Sequence, residues 1–127
     1  MNNAVAFILA RGGSKRIPRK NIRFFCGKPM LAWPVTAAIS SGIFERVIMS
    51  TDDPEIAATA VSYGAEVPSL RPAELSDDFS TTADVLRHLL QNVRERYEYC
   101  CCLYGTSVFL TVEMLHEGFE LLRRPGA

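Results

Sequence analysis

Between residues 10 and 28 the chain carries Arg11, Lys15, Arg16, Arg19, Lys20, Arg23 and Lys28, seven of its fourteen basic side chains. Arg11 and Lys15 bracket Gly12, Gly13 and Ser14, and Ala10 and Asn21 bound the segment. Glycines let main-chain N–H groups come close to an anion. An arginine adds a planar fork of donors, and a lysine adds a compact charge. The combination suits a triphosphate. Neither GxGxxG nor GxxxxGK followed by Ser or Thr can be read here, so a dinucleotide-binding fold or a P-loop ATPase is not expected. A merely solvated basic loop, or one that contacts nucleic acid, is the other reading of the same residues.

Such a loop needs a rigid rim. Residues 4–9 form a continuous apolar run with β-branched and aromatic members, which predicts a buried parallel strand. Residues 30–39 have helical spacing and end at Gly42, with Pro34 tolerable only in the first turn. Residues 46–50 predict a second strand. Asp53 as N-cap and Pro54 behind it start a helix that reaches residue 63 and stops at Gly64. Residues 65–67 read as a short third strand and 68–72 as an extended, proline-rich loop. Thr81 and Asp84 form a capping-box start for a helix ending near residue 96, residues 99–104 predict a fourth strand, and Thr111 caps a helix over 112–124. This alternation predicts an α/β unit filling residues 1–127, with a mostly parallel sheet and helices on both faces. Ligands of such sheets bind beyond the carboxyl ends of the strands, where the basic loop lies.

Composition narrows the partners. Basic and acidic residues number 14 each, so no overall field draws nucleic acid or an anionic membrane, and neither partner is expected. Cys100, Cys101 and Cys102 alternate across a strand, an arrangement unsuited to a disulfide or a zinc site. With Cys26 they are expected to be reduced thiols in a cytoplasmic protein. The first ten residues lack a basic leader, and their apolar stretch is too short to span a membrane. His88 and His116 lie on expected helices without relay partners, and Trp33 is expected in the core. The cap role accounts for Asp53 without a metal, and Arg71 reads either as a ligand-facing residue or as a loop arginine paired with Glu74 or Asp77.

The thirteen residues 9–21, LARGGSKRIPRKN, with GKPM at 27–30, resemble the signature of the acylneuraminate and pseudaminic acid cytidylyltransferases. VIMSTDD at 47–53, GAEVP at 64–68 and LRPAEL at 70–75 match the same family in order. The resemblance implies a Rossmann-like nucleotide-diphospho-sugar transferase fold and transfer of CMP from CTP to a nonulosonic acid, with loss of pyrophosphate, for cell-surface glycans. Pseudaminic acid is the favoured sugar and N-acetylneuraminic acid the next. It implies Arg11 and Lys15 as catalytic cations, and nucleotide contacts from Ala10, Gly12, Gly13, Ser14, Lys20 and Asn21. Arg71, with Thr81 or Thr82, would face the cytosine. Mg²⁺ is implied as cofactor with no ligand in this chain, because family members continue into a C-terminal part that brings metal-binding aspartates, sugar contacts and a homodimer interface. The family's Thr-Ala-Pro or Thr-Ser-Pro element is altered: Thr106 and Ser107 remain, but Gly105 and Val108 stand where prolines flank them, which is expected to loosen that loop. The chain therefore reads as an enzyme of this family or as its truncated, non-catalytic nucleotide-binding remnant. A nucleic-acid-binding module is the third reading.

Overall fold

The uninterrupted apolar run predicts a strand covered on both sides, and the computed structural model, which describes residues 3–11, 20–72 and 81–126, has it as β1 (Ala4–Leu9), buried along its whole length. A single 3-10 turn, Lys20–Ile22, leads into a small antiparallel hairpin of β2 (Phe24–Phe25) and β3 (Lys28–Pro29). Helix α1 (Ala32–Ser41) starts two residues later than the spacing suggests, with no side-chain cap at Leu31. Pro34 falls in its first turn, where a missing N–H breaks no helical bond. Gly42, at φ 69°, closes the helix in the left-handed conformation and donates to the Ile39 carbonyl.

Strand β4 (Arg46–Ser50) leads to α2 (Pro54–Ser62), where Asp53 accepts from the N–H groups of Glu55 at 2.8 Å and Ile56 at 3.4 Å. Helix α3 (Thr82–Asn92) opens with the reciprocal Thr81 and Asp84 capping box, both bonds 3.1 Å. It ends earlier than residue 96, because Val93 turns extended and packs with Leu86 and Leu89 against β1. Strand β5 (Tyr99–Tyr104) and α4 (Val112–Arg123), capped by Thr111, complete the described elements.

The three long strands form a parallel sheet in the order β4-β1-β5. The expected third strand at 65–67 is reduced to one bridge, Glu66 with Ile48, since Pro68 supplies no N–H to extend the ladder. Ala4, Ala6 and Ile8 face α1, α2 and α4 through Val35, Ala38, Ile56 and Leu115. Val5, Phe7 and Ile48 face α3 on the other side through Leu86 and Leu89. Burying each large member of these clusters is worth about 1.5–3 kcal/mol, which makes β1 the spine of the molecule. Trp33 is not in this core. It is half-buried on the hairpin side of α1, donates its indole N–H to the Phe25 carbonyl at 2.9 Å, and lies beneath the Lys28 ammonium. No helix among the described residues is long and apolar enough to cross a membrane.

Candidate functional site

In register, Leu9 stands beside Ser50 on one side and Tyr104 on the other, so β1, β4 and β5 end at the same level. The ladder continues one residue further: the Ala10 N–H donates to the Ser50 carbonyl and the Gly105 N–H to the Leu9 carbonyl, each at 3.0 Å. The segments leaving these strands therefore start from one edge. That edge carries Ala10, Arg11, Ser50, Thr51, Asp52, Tyr104 and Gly105.

Ala10 is buried, so it contributes packing and backbone, while Arg11 beyond it is half-buried. Gly12, Gly13, Ser14 and Lys15 lie outside the described residues. Lys20 begins the 3-10 turn that returns the chain to the sheet edge, and Asn21 follows it into the interior at 4% exposure. The Asn21 side-chain N–H donates to the Arg11 carbonyl at 3.1 Å, and the Asn21 main-chain carbonyl accepts from the Leu31 N–H at 2.9 Å. The two ends of the basic loop are thus tied together and to the start of α1.

Arg71 comes to the same edge from the loop after α2. Its Nε donates to the Ser50 hydroxyl at 3.1 Å and its Nη2 to the Ser50 carbonyl at 2.8 Å, while its main-chain N–H donates to Thr51 at 2.7 Å. Burial holds the guanidinium below its ordinary pKa; the Asp52 charge opposes that and the Arg11 charge adds to it, so the two arginines act on one electrostatic neighbourhood. Glu74 and Asp77, its other proposed partners, lie outside the described residues. Arg71 also lines a recess of about 120 Å³ between β4 and α3, with Ser50, Leu70 and His88 on its walls. Periodicity had given His88 no task, and only the packing of α3 against β4 brings it here.

Thr81 spends its hydroxyl on the helix cap, whereas the Thr82 hydroxyl bonds the Tyr104 hydroxyl at 3.0 Å at the end of β5. Asp53 is likewise occupied as a cap. Cys26 and Cys100–102 form no disulfides. Burial pushes the Cys101 thiol up to about 11, an environment that suits a packed thiol rather than a nucleophile. Gly105 is a residue that sequence reasoning treated only as a lost proline. A Cβ there would overlap the Asn21 side-chain oxygen and lie 3.1 Å from the Ala10 Cβ. Its signal in the sequence was its place one residue beyond a predicted strand, at the ligand-binding edge. A half-buried cation, a second cation on a bonded tether and the open ends of parallel strands make an arrangement able to hold a polyanion with an attached ring.

A sequence profile of the family described as Cytidylyltransferase matches residues 5–126. Over 119 residues the chain is 43% identical to a pseudaminic acid cytidylyltransferase of Campylobacter jejuni, an alignment covering 91% of the chain and 51% of that protein. It is 41% identical over 121 residues to N-acylneuraminate cytidylyltransferase A of Danio rerio, covering 95% of the chain and 28% of that protein. The chain thus spans about half the length, or less, of these relatives. Among solved structures, CMP:2-keto-3-deoxy-manno-octonic acid synthetase complexed with CTP superposes with a TM-score of 0.82 at 23% identity, covering 98% of the chain and 48% of that structure. At that identity the likeness speaks for the fold, a nucleotide-diphospho-sugar transferase architecture.

Proposed function

This chain belongs to the cytidylyltransferase family, and from that premise we propose that it is the CTP-binding unit of an enzyme that transfers CMP to a nonulosonic acid. In the proposed reaction the anomeric hydroxyl of the 2-keto sugar acid attacks the α-phosphate. The new oxygen–phosphorus bond forms as the bond to the β-phosphate oxygen breaks, the hydroxyl proton is released, and pyrophosphate departs. Arg11 and Lys15 are assigned to the triphosphate, where fixed positive charge stabilises what accumulates on the leaving group. Gly12, Gly13, Ser14 and Lys20 are assigned to the same phosphates, and Arg71 with Thr82 to the cytosine side. Pseudaminic acid is the sugar we favour, supported by the Campylobacter relative, with N-acetylneuraminic acid second, supported by the Danio relative.

Mg²⁺ belongs to the same proposal, and when bound it supplies positive charge to the phosphate oxygens. Among the described residues no group of three or more His, Cys, Asp or Glu gathers to hold it. The residues named here are assigned to the nucleotide, and none of them to the metal. A cytoplasmic setting, a homodimer in the full-length enzyme and the absence of nucleic-acid partners complete the reading.

The observation that supports it best is the convergence of Arg11, Asn21 and Arg71 on the carboxyl ends of β1 and β4. Calorimetry with CTP, UTP and ATP tests it. We expect CTP to bind at least about tenfold more tightly than the others, a difference of about 1.4 kcal/mol. We also expect the 127-residue chain alone, with Mg²⁺ and either sugar, to form little or no CMP-sugar, because its relatives bring about twice this length to the reaction. A chain that ignores CTP removes the proposal, and ready turnover by the isolated chain removes the second expectation.

A further inference from the structure

We propose that Arg46, at the end of β4 remote from the candidate site, is a positioning residue: its fork on Glu66 sets the register in which residues 66–71 join β4, and so where Arg71 arrives. Arg46 touches no ligand and acts through Arg71. The segment passes along the outer edge of β4. Glu66 pairs with Ile48 in a single parallel bridge, its N–H donating to the Val47 carbonyl at 2.9 Å and its carbonyl accepting from the Met49 N–H at 2.8 Å. The segment is bonded to β4 again at Arg71, whose N–H donates to the Thr51 carbonyl at 2.7 Å. Between these points it advances five residues while the neighbouring chain advances three, from Ile48 to Thr51. With that slack, with Pro68 lacking an N–H and with residues 68–70 exposed, neither chain length nor burial fixes the register. One bridge specifies it only weakly.

Arg46 supplies the missing choice. Its Nε stands 3.2 Å from both Glu66 carboxylate oxygens and its Nη2 2.9 Å from one of them, a bidentate grip that a shifted segment would lose. Its Nη1 donates to Glu95 at 3.1 Å, so the arginine is itself steadied from the connection between α3 and β5. The Glu66 side chain is about half exposed, and an ion pair this open to water adds little to overall stability. Its effect is local: a slipped register would carry Arg71 away from the hydroxyl and carbonyl of Ser50.

The proposal rests on the CTP site above only for its ligand readout. The full chain is compared with Arg46→Met, Glu66→Ala, both together, and Glu95→Ala, by the Nε–Hε resonance of Arg71 and by the CTP dissociation constant. Arg46→Met and Glu66→Ala should each move the resonance and weaken CTP about fivefold. The two change the net charge in opposite directions, so a long-range charge effect would weaken CTP in one and strengthen it in the other. The double variant should bind CTP within about twofold of the worse single, because both remove one grip. Glu95→Ala spares that grip and should leave the resonance in place. A resonance unmoved by either single, CTP changes of opposite sign, single losses that multiply, or a Glu95→Ala shift as large as that of Arg46→Met overturns the proposal. If the resonance moves while CTP binds as in the parent, the register lock stands and the assignment of Arg71 to the nucleotide fails. If the parent chain binds no CTP, the functional reading fails and the resonance still decides this one. Should Arg46→Met not fold, Glu66→Ala, at an exposed position, decides alone.

Discussion

Arg71 is used twice, as a cation at the sheet edge and as a tie between a loop and β4. Its fork meets Ser50 at both the hydroxyl and the carbonyl, a two-point contact that an ammonium cannot copy. Arg71→Lys keeps the charge and loses that geometry. It should cost about 1–2 kcal/mol in urea unfolding, the worth of one or two partly buried hydrogen bonds, and should weaken CTP binding more than it changes long-range charge effects. A variant that unfolds like the parent would show the tie to be energetically idle. The sequence named Arg71 through the LRPAEL block alone, because its partner Ser50 is remote along the chain and only the pairing of β4 with β1 brings the two together. Gly105 was harder still. A glycine's role here lies in the atom it lacks, and that is visible only once Asn21 stands opposite.

Elements whose boundaries depend on local chemistry were legible. Asp53 before Pro54, Thr81 with Asp84, and Thr111 each satisfy N–H groups within three residues, so no distant partner needs to be known. The hairpin of β2 and β3 was not legible, since its strands are two residues long and its turn uses Cys26 at φ 50° before Gly27 at φ 90°, where Asn or Asp is the usual first residue. The capping box also carries a pH dependence. Hydrogen bonds from the Thr81 backbone and hydroxyl hold Asp84 below its ordinary 3.8. A depressed carboxylate contributes stability that is present above the unfolded value and lost as pH falls through the folded one. Acid should therefore fray the first turn of α3 below about pH 4. Following the Thr81 and Asp84 amides, the two that the capping box bonds, by hydrogen exchange checks this, and Asp84→Asn should remove the acid dependence; an unchanged profile would assign it to another group.

At the scale of the molecule, the candidate site occupies one edge of the sheet and an uncovered apolar surface occupies its flank. Among the described residues β5 pairs only with β1, so its second edge presents unpaired backbone groups. Beside it a groove of about 360 Å³ runs between β5 and α4, lined by Tyr99, Met114, Phe119 and Leu122. Met114 and Leu122 are more than half exposed. An open strand edge next to apolar side chains favours association, and a formal net charge of zero supplies no repulsion against it near neutral pH. The isolated chain should therefore self-associate with rising concentration in sedimentation velocity, most strongly near its sequence pI of about 6.7 and less as pH moves away from it. Met114→Gln with Leu122→Gln should reduce that association while shifting stability by no more than about 0.5 kcal/mol each, because both side chains already face water. If the double variant associates as before, the open edge of β5 is the dominant contact. If it instead lowers the thermal midpoint steeply, these residues are packed more deeply than their exposure indicates, and the flank is part of the core.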